Sequence, residues 1–193
     1  EDAPPRPLVP SRPDDAEPAT RSLVGADRGA AFRRGNLIHR LLQTLPGIDP
    51  SARAAAARRY LALPAHGLAQ DQRQALAAEV LAVLSAPEFA DLFGPASRAE
   101  VPLTGCINQR VISGQVDRLV VADGRVRIID YKSNRPPPAK IEDTPMLYLR
   151  QMAAYHAVLA EIYPVFSIDC AILRTDGPTL MGLPDTLLAN YAP

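Results

Sequence analysis

The sequence predicts an α/β (α+β) domain, a central mixed sheet flanked by helices with a helical N-terminal portion. Apolar residues in the first half recur at helical spacing. From Arg98 onward, short apolar runs alternate with turn residues. A further helix and a further strand follow, and helices, hairpin, helix and strand together indicate a mixed sheet.

Between Arg28 and Leu45, the residues Ile38, Leu41, Leu42 and Leu45 form one apolar stripe, and Pro46-Gly47 ends the helix. Asp49-Pro50 supplies a cap and first turn for an Ala- and Arg-rich helix reaching about Leu63. Asp71 to Leu84 is a third helix by composition and period. Strands are expected at Ala99 to Leu103, Val111 to Val121 and Val126 to Tyr131. After Pro136-Pro137-Pro138, the residues Tyr148, Met152, Tyr155, Leu159 and Ile162 line a helix that stops near Pro164, and Val165 to Leu173 reads as a strand. There is no internal repeat.

The 193 residues suit one domain, and 47% hydrophobic residues suffice for a core. Residues 1–27 are expected to be a Pro-rich linker or tail. Residues 28–193 would then be the domain, helical to about residue 95 and sheet-containing from about residue 98. The first residue is not Met and no leader pattern follows, so the chain reads as a C-terminal piece of something longer. No apolar run approaches the roughly 18 residues of a membrane span, so no membrane partner is expected. Cys106 and Cys170 lack the spacing of a metal-cluster motif and read as buried free thiols, which suits a reducing cytoplasm. Lys plus Arg equals Asp plus Glu at 21 each, so net charge gives no argument for nucleic acid. Arg28, Arg33, Arg34 and Arg40 form a local basic run, read as a solvated helix face that could meet phosphates.

Asp123-Gly124 between two apolar runs is a strong signal for a two-residue hairpin turn. The register then sets Val121 against Val126, Leu119 against Ile128, and Asp117 against Asp130. Opposed residues have Cβ atoms roughly 4.5 to 5.5 Å apart, and like charges so placed destabilise a sheet. A divalent cation would turn that repulsion into ligation. Lys132, two residues beyond Asp130, projects from the same face. The alternative is that Asp117 pairs with an arginine such as Arg118 while Lys132 is solvated. A one-residue slip of register would also separate the two acids.

Gly114-Gln115-Val116-Asp117-Arg118 and Ile128-Ile129-Asp130-Tyr131-Lys132-Ser133 resemble the G-x-x-D-R and I-x-D-Y-K-[ST] motifs of RecB-type nucleases in the PD-(D/E)xK superfamily. Upstream, Gly35 to His39 and Leu42 resemble the helical G-x-x-x-H-x-x-L element of that family; downstream, Gln151 to Tyr155 resembles its Q-x-x-x-Y helix. The wording of the first element, RGNLIHRLLQTLP, and the Pro-Ser-Arg segment before it are most similar to the C-terminal nuclease domain of bacterial AddA helicase-nuclease subunits.

The resemblance implies a restriction-endonuclease-like core and metal-dependent hydrolysis of DNA, leaving a 5′-phosphate and a 3′-hydroxyl. It implies that Asp117, Asp130 and Lys132 are catalytic, and that His39, Asp117, Asp130 and the Tyr131 backbone carbonyl hold the metal. Mg²⁺ is expected, with Mn²⁺ as a substitute. Glu100 is either an outer-shell acid or an exposed acid of an edge strand. Gln151, Tyr155 and Arg118 are candidates for DNA contact or support, although an aromatic at the Tyr155 spacing usually belongs to a core. His66 and His156 match no motif.

With two cysteines, the four-cysteine iron-sulfur cluster of some relatives is not expected. The chain has no G-x-x-x-x-G-K-[ST] loop, so no nucleotide site is expected in it. The expected function is an exonuclease domain of a bacterial, cytoplasmic AddA-like enzyme that processes double-strand breaks for recombination. Its partners would be linear DNA ends, single strands delivered by a motor, an N-terminal helicase part of the same polypeptide, and an AddB-like subunit. The alternatives are a stand-alone RecB-like or phage-type exonuclease, and an inactive nuclease fold used for DNA binding or assembly.

Overall fold

The computed structural model describes residues 26–133 and 140–193, so the Pro-rich segment and the triple-proline loop lie outside the described residues. Helices α1 (Ala26–Thr44), α2 (Pro50–Leu61) and α3 (Gln70–Ser85) come first. Asp49 caps α2 as expected, its carboxylate accepting from Ser51 N–H at 2.9 Å. These helices end within about two residues of the expected bounds, the usual latitude of fraying ends.

Five strands follow as β1 (Ser97–Ile107), β2 (Arg110–Ala122), β3 (Arg125–Lys132), β4 (Ser167–Arg174) and β5 (Thr179–Leu183). They lie in the order β1-β2-β3-β4-β5, antiparallel except for β3 and β4. Parallel β3 and β4 require a crossover, which α4 (Met146–Ile162) provides. A short α5 (Asp185–Leu188) follows β5.

Two layers cover the sheet. Ile38, Leu41 and Leu42 of α1 join Leu76, Val80 and Val83 of α3 against Val120, Ile129, Tyr131 and Leu173. On the other face, Met152, Tyr155 and Leu159 of α4 pack on Ile112, Val126, Ile128 and Ile172. Gly105 and Gly114 let α4 come this close. A Cβ at Gly105 would lie 2.7 Å from Val158 Cγ1, and one at Gly114 would lie 2.5 Å from the Tyr155 hydroxyl.

Several expectations need correcting. Strand β1 runs well past Leu103, to Ile107. Pro102 and Gly105 resemble breakers, but β1 is a sheet edge, where a missing N–H need not cost a ladder bond. Strand β4 starts two residues later than expected, and β5 and α5 were not anticipated because TLMGL and DTLL are too short to show a period. Cys170 is buried, but Cys106 is exposed on the outer side of the edge strand.

Candidate active site

The Asp123-Gly124 turn has positive φ at both positions, 52° and 70°, as a two-residue hairpin requires. The register matches expectation from Ala122↔Arg125 to Arg118↔Ile129. The ladder ends there, one step short of the expected Asp117–Asp130 pair. At this point β2 leaves β3 and continues only with β1, so the two acids meet at a fork.

Glu100 marks the same point on β1. The β1–β2 pairing skips Glu100 and Asp117 but continues on either side, with Ala99↔Arg118 and Val101↔Val116. Glu100 has φ 54°, a left-handed conformation costly for a residue with a side chain. The face alternation slips here too. Val116 and Leu119 both enter the α4-side core, whereas Arg118 lies with α1.

This kink and α1 bring three ligand-type side chains together. Ligand atoms of His39, Glu100 and Asp117 all lie within 4.8 Å of one another. His39 Nδ1 is 3.3 Å from Asp117 Oδ1, while Asp117 Oδ2 accepts the Tyr131 N–H at 2.7 Å. That bond replaces the ladder bond lost at the fork. The edge-strand alternative for Glu100 is thus only half right, because this edge acid turns inward to the cluster.

Asp130 and Lys132 form the other half of the site. Asp130 is buried, and Lys132 Nζ lies 2.8 Å from its Oδ2 and 4.1 Å from the centre of the Tyr148 ring. The ammonium is therefore held between a carboxylate and an aromatic face. Tyr148 is a site residue whose spacing in the sequence predicts only a place in the helix stripe. The available signal was its position one turn before Gln151, on the helical face that carries Tyr155.

The electrostatics separate the two acids. Burial works against the Asp117 carboxylate, yet His39, Lys132 and the Tyr131 N–H hold it below the usual range. Burial pushes Asp130 up, Lys132 offsets part of this, and the Asp117 charge adds to the rise. Burial opposes protonation of His39, but Asp117 and Asp130 raise it above an ordinary imidazole. Burial and Asp117 likewise raise Glu100. Two acids and one imidazole, Glu100, Asp117 and His39, form a donor set in which a divalent cation would relieve carboxylate repulsion, while Asp130 stands outside that cluster against Lys132. This set fits a hard metal ion.

The remaining candidates are internal. Arg118 is buried, with Nε donating to the Tyr131 hydroxyl at 2.9 Å, Nη2 to the Leu42 carbonyl and Nη1 to Ser97 Oγ at 3.3 Å. It ties α1 to the sheet and is not placed to meet a phosphate. Gln151 and Tyr155 are also buried, a placement that suits the supporting alternative and the core spacing of Tyr155. The Tyr155 hydroxyl accepts from Gln115 N–H at 3.3 Å and lies 3.4 Å from Gln151 Nε2. Of the basic run, Arg34 is ion-paired with Glu79, and Arg40 bonds Gln43. The His66 ring lies tilted against Tyr60, with centroids 4.7 Å apart, and His156 lies 3.5 Å from Asp185. Among the described residues, no helix is long and apolar enough to cross a membrane.

No curated protein matches the chain in sequence. Among solved structures it is similar to one described as "Crystal structure of SSO0001", at 13% identity, covering 84% of this chain and 82% of that one with a TM-score of 0.34. A family model described as the PD-(D/E)XK nuclease superfamily matches residues 18–183, a span that includes α1, the forked hairpin and α4. Because that match takes in the elements that bring His39, Glu100, Asp117, Asp130 and Lys132 together, the chain belongs to the PD-(D/E)XK nuclease superfamily.

Proposed function

We propose that this domain is a Mg²⁺-dependent deoxyribonuclease, acting as an exonuclease within a bacterial AddA-like helicase-nuclease. The observation that carries the reading is the convergence of His39, Glu100 and Asp117 within 4.8 Å at a strand fork. Asp130 and Lys132 stand beside them. His39, Asp117, Asp130 and the Tyr131 carbonyl are the proposed ligands, with Glu100 turned into the same cluster. A bound divalent ion supplies Lewis acidity at the scissile phosphate and lowers the pKa of the attacking water.

The chain's own residues do the rest. Asp117 stays ionised and so keeps negative charge for a cation. His39 must release its proton to act as a ligand. Lys132 is held charged by Asp130, Tyr148 and Asp117 against the pull of burial, so its ammonium can offset charge growing on a phosphate oxygen.

The narrower AddA-like assignment rests on the RGNLIHRLLQTLP wording of α1. With it come linear DNA ends as substrate, an N-terminal motor and an AddB-like partner subunit in a bacterial cytoplasm. The test compares linear with covalently closed DNA in Mg²⁺, using parent and Asp130→Ala protein. Loss of linear DNA alone, by the parent alone, is expected. Cutting of closed circles would remove the exonuclease reading, and cleavage by Asp130→Ala at the parent rate would remove the site assignment.

A further inference from the structure

Both carbonyls at the end of β3 are held from one point. Arg34 Nη1 donates to the Ser133 carbonyl at 3.0 Å, and Arg34 Nη2 pairs with Glu79 of α3. The other Glu79 oxygen accepts the Thr175 hydroxyl, and Thr175 N–H donates to the Lys132 carbonyl at 3.2 Å. Glu79 thus joins two arms, one ending on Ser133 and the other on Lys132. Gly35 of α1 lies close to the same point, since a Cβ there would meet Ser133 Oγ at 3.4 Å, an ordinary contact.

Burying a carboxylate and a guanidinium carries a desolvation cost, and α1 and α3 already share an apolar core through Leu41, Leu42 and Val80. The pair adds little to that packing. What it does is fix the main chain that carries Lys132, and so the line along which the ammonium reaches Asp130 and Tyr148. Arg118 separately holds α1 at Leu42, one turn after His39.

We propose that Arg34, Glu79 and Thr175 form a clasp that positions Lys132 by holding the two carbonyls at the end of β3. This rests on the nuclease reading for its kinetic consequence, though not for the structural one. The clasp acts on Lys132 more than on metal binding, because both arms end beside Lys132 and neither touches Glu100 or Asp117.

The test is a double-mutant cycle of Glu79→Gln and Lys132→Ala in DNA cleavage, with the Lys132 side-chain NMR signal recorded alongside. Glu79→Gln is expected to lower kcat by about tenfold or more with KM and Mn²⁺ affinity unchanged. In the Lys132→Ala background it should have no further effect, because the group being positioned is gone. Arg34→Lys should recover part of the loss seen in Arg34→Ala. Equal losses in both backgrounds, or an unmoved Lys132 signal in Glu79→Gln, would overturn the clasp. Thr175→Val, which removes one hydroxyl, serves in the cycle if Glu79→Gln unfolds. A parent that cuts no DNA would count against the nuclease reading, and the Lys132 signal would then decide the clasp alone.

Discussion

Asp117 Oδ2 accepts the main-chain N–H of Tyr131 at 2.7 Å, so a side chain completes the hydrogen bonding of β3 where β2 has turned away. The carboxylate therefore has one oxygen committed to the fold and the other facing His39. Asparagine can keep the first role but cannot supply the charge. Asp117→Asn should stay within about 1 kcal/mol of the parent in urea unfolding, whereas Asp117→Ala, which strands the Tyr131 N–H, should lose about 1–3 kcal/mol. Equal stabilities would show that this bond does not support the fork.

Backbone conformation at Glu100 gives a second prediction. Glu100→Gly and Glu100→Ala both remove the carboxylate, but only glycine accepts φ 54° without strain. The glycine variant should be more stable than the alanine variant by about 1 kcal/mol. Both should bind Mn²⁺ more weakly than the parent in titration calorimetry. Parent-like Mn²⁺ affinity in both would remove Glu100 from the cluster.

Much of this was legible in the sequence, for identifiable reasons. The Asp123-Gly124 turn fixes the hairpin register by backbone sterics alone, and five pairs follow it. The α1 stripe likewise identifies which side of the helix is buried, and so where His39 emerges. What could not be read is where β2 departs from β3. A fork depends on tertiary packing at Glu100 and Asp117, and strand alternation assumes there is none. The same kink hid the inward turn of Glu100, and Tyr148 was masked because a buried ring facing an ammonium has the same helical spacing as a core ring.

Packing of α4 on the sheet depends on Gly114. Gly114→Ala places a methyl group 2.5 Å from the Tyr155 hydroxyl and should cost about 1–3 kcal/mol in urea unfolding. Gly182→Ala, where a Cβ meets nothing within 4 Å, should change stability by no more than about 0.5 kcal/mol. A parent-like Gly114→Ala would mean that Tyr155 does not set this approach.

The shifts of His39 and Asp130 set a direction with pH. His39, raised above 6.5, binds its proton more tightly folded than unfolded. Its contribution is complete below that pH and is lost as pH rises through the folded value. Asp130 is also raised, from 3.8, and its contribution is complete only below that pH, so the change between pH 6 and pH 8.5 is assigned to His39. Asp117 is lowered, so its contribution is present above 3.8 and is lost only as acid protonates the folded carboxylate. In chelator, the urea midpoint should therefore fall from pH 6 to pH 8.5, and His39→Asn should flatten that fall. Mn²⁺ affinity should move the other way and rise across the same interval, because the ion displaces the His39 proton. Affinity that does not vary with pH would argue against His39 as a ligand.

The most direct test of the account is single-turnover cleavage of linear DNA in Mg²⁺ by the parent and by Asp117→Asn, the variant that keeps the Tyr131 bond while removing the charge. The variant should fold, and its rate should fall by about a hundredfold or more, the size of loss that follows removal of a directly acting group. Cleavage by Asp117→Asn at the parent rate would contradict this.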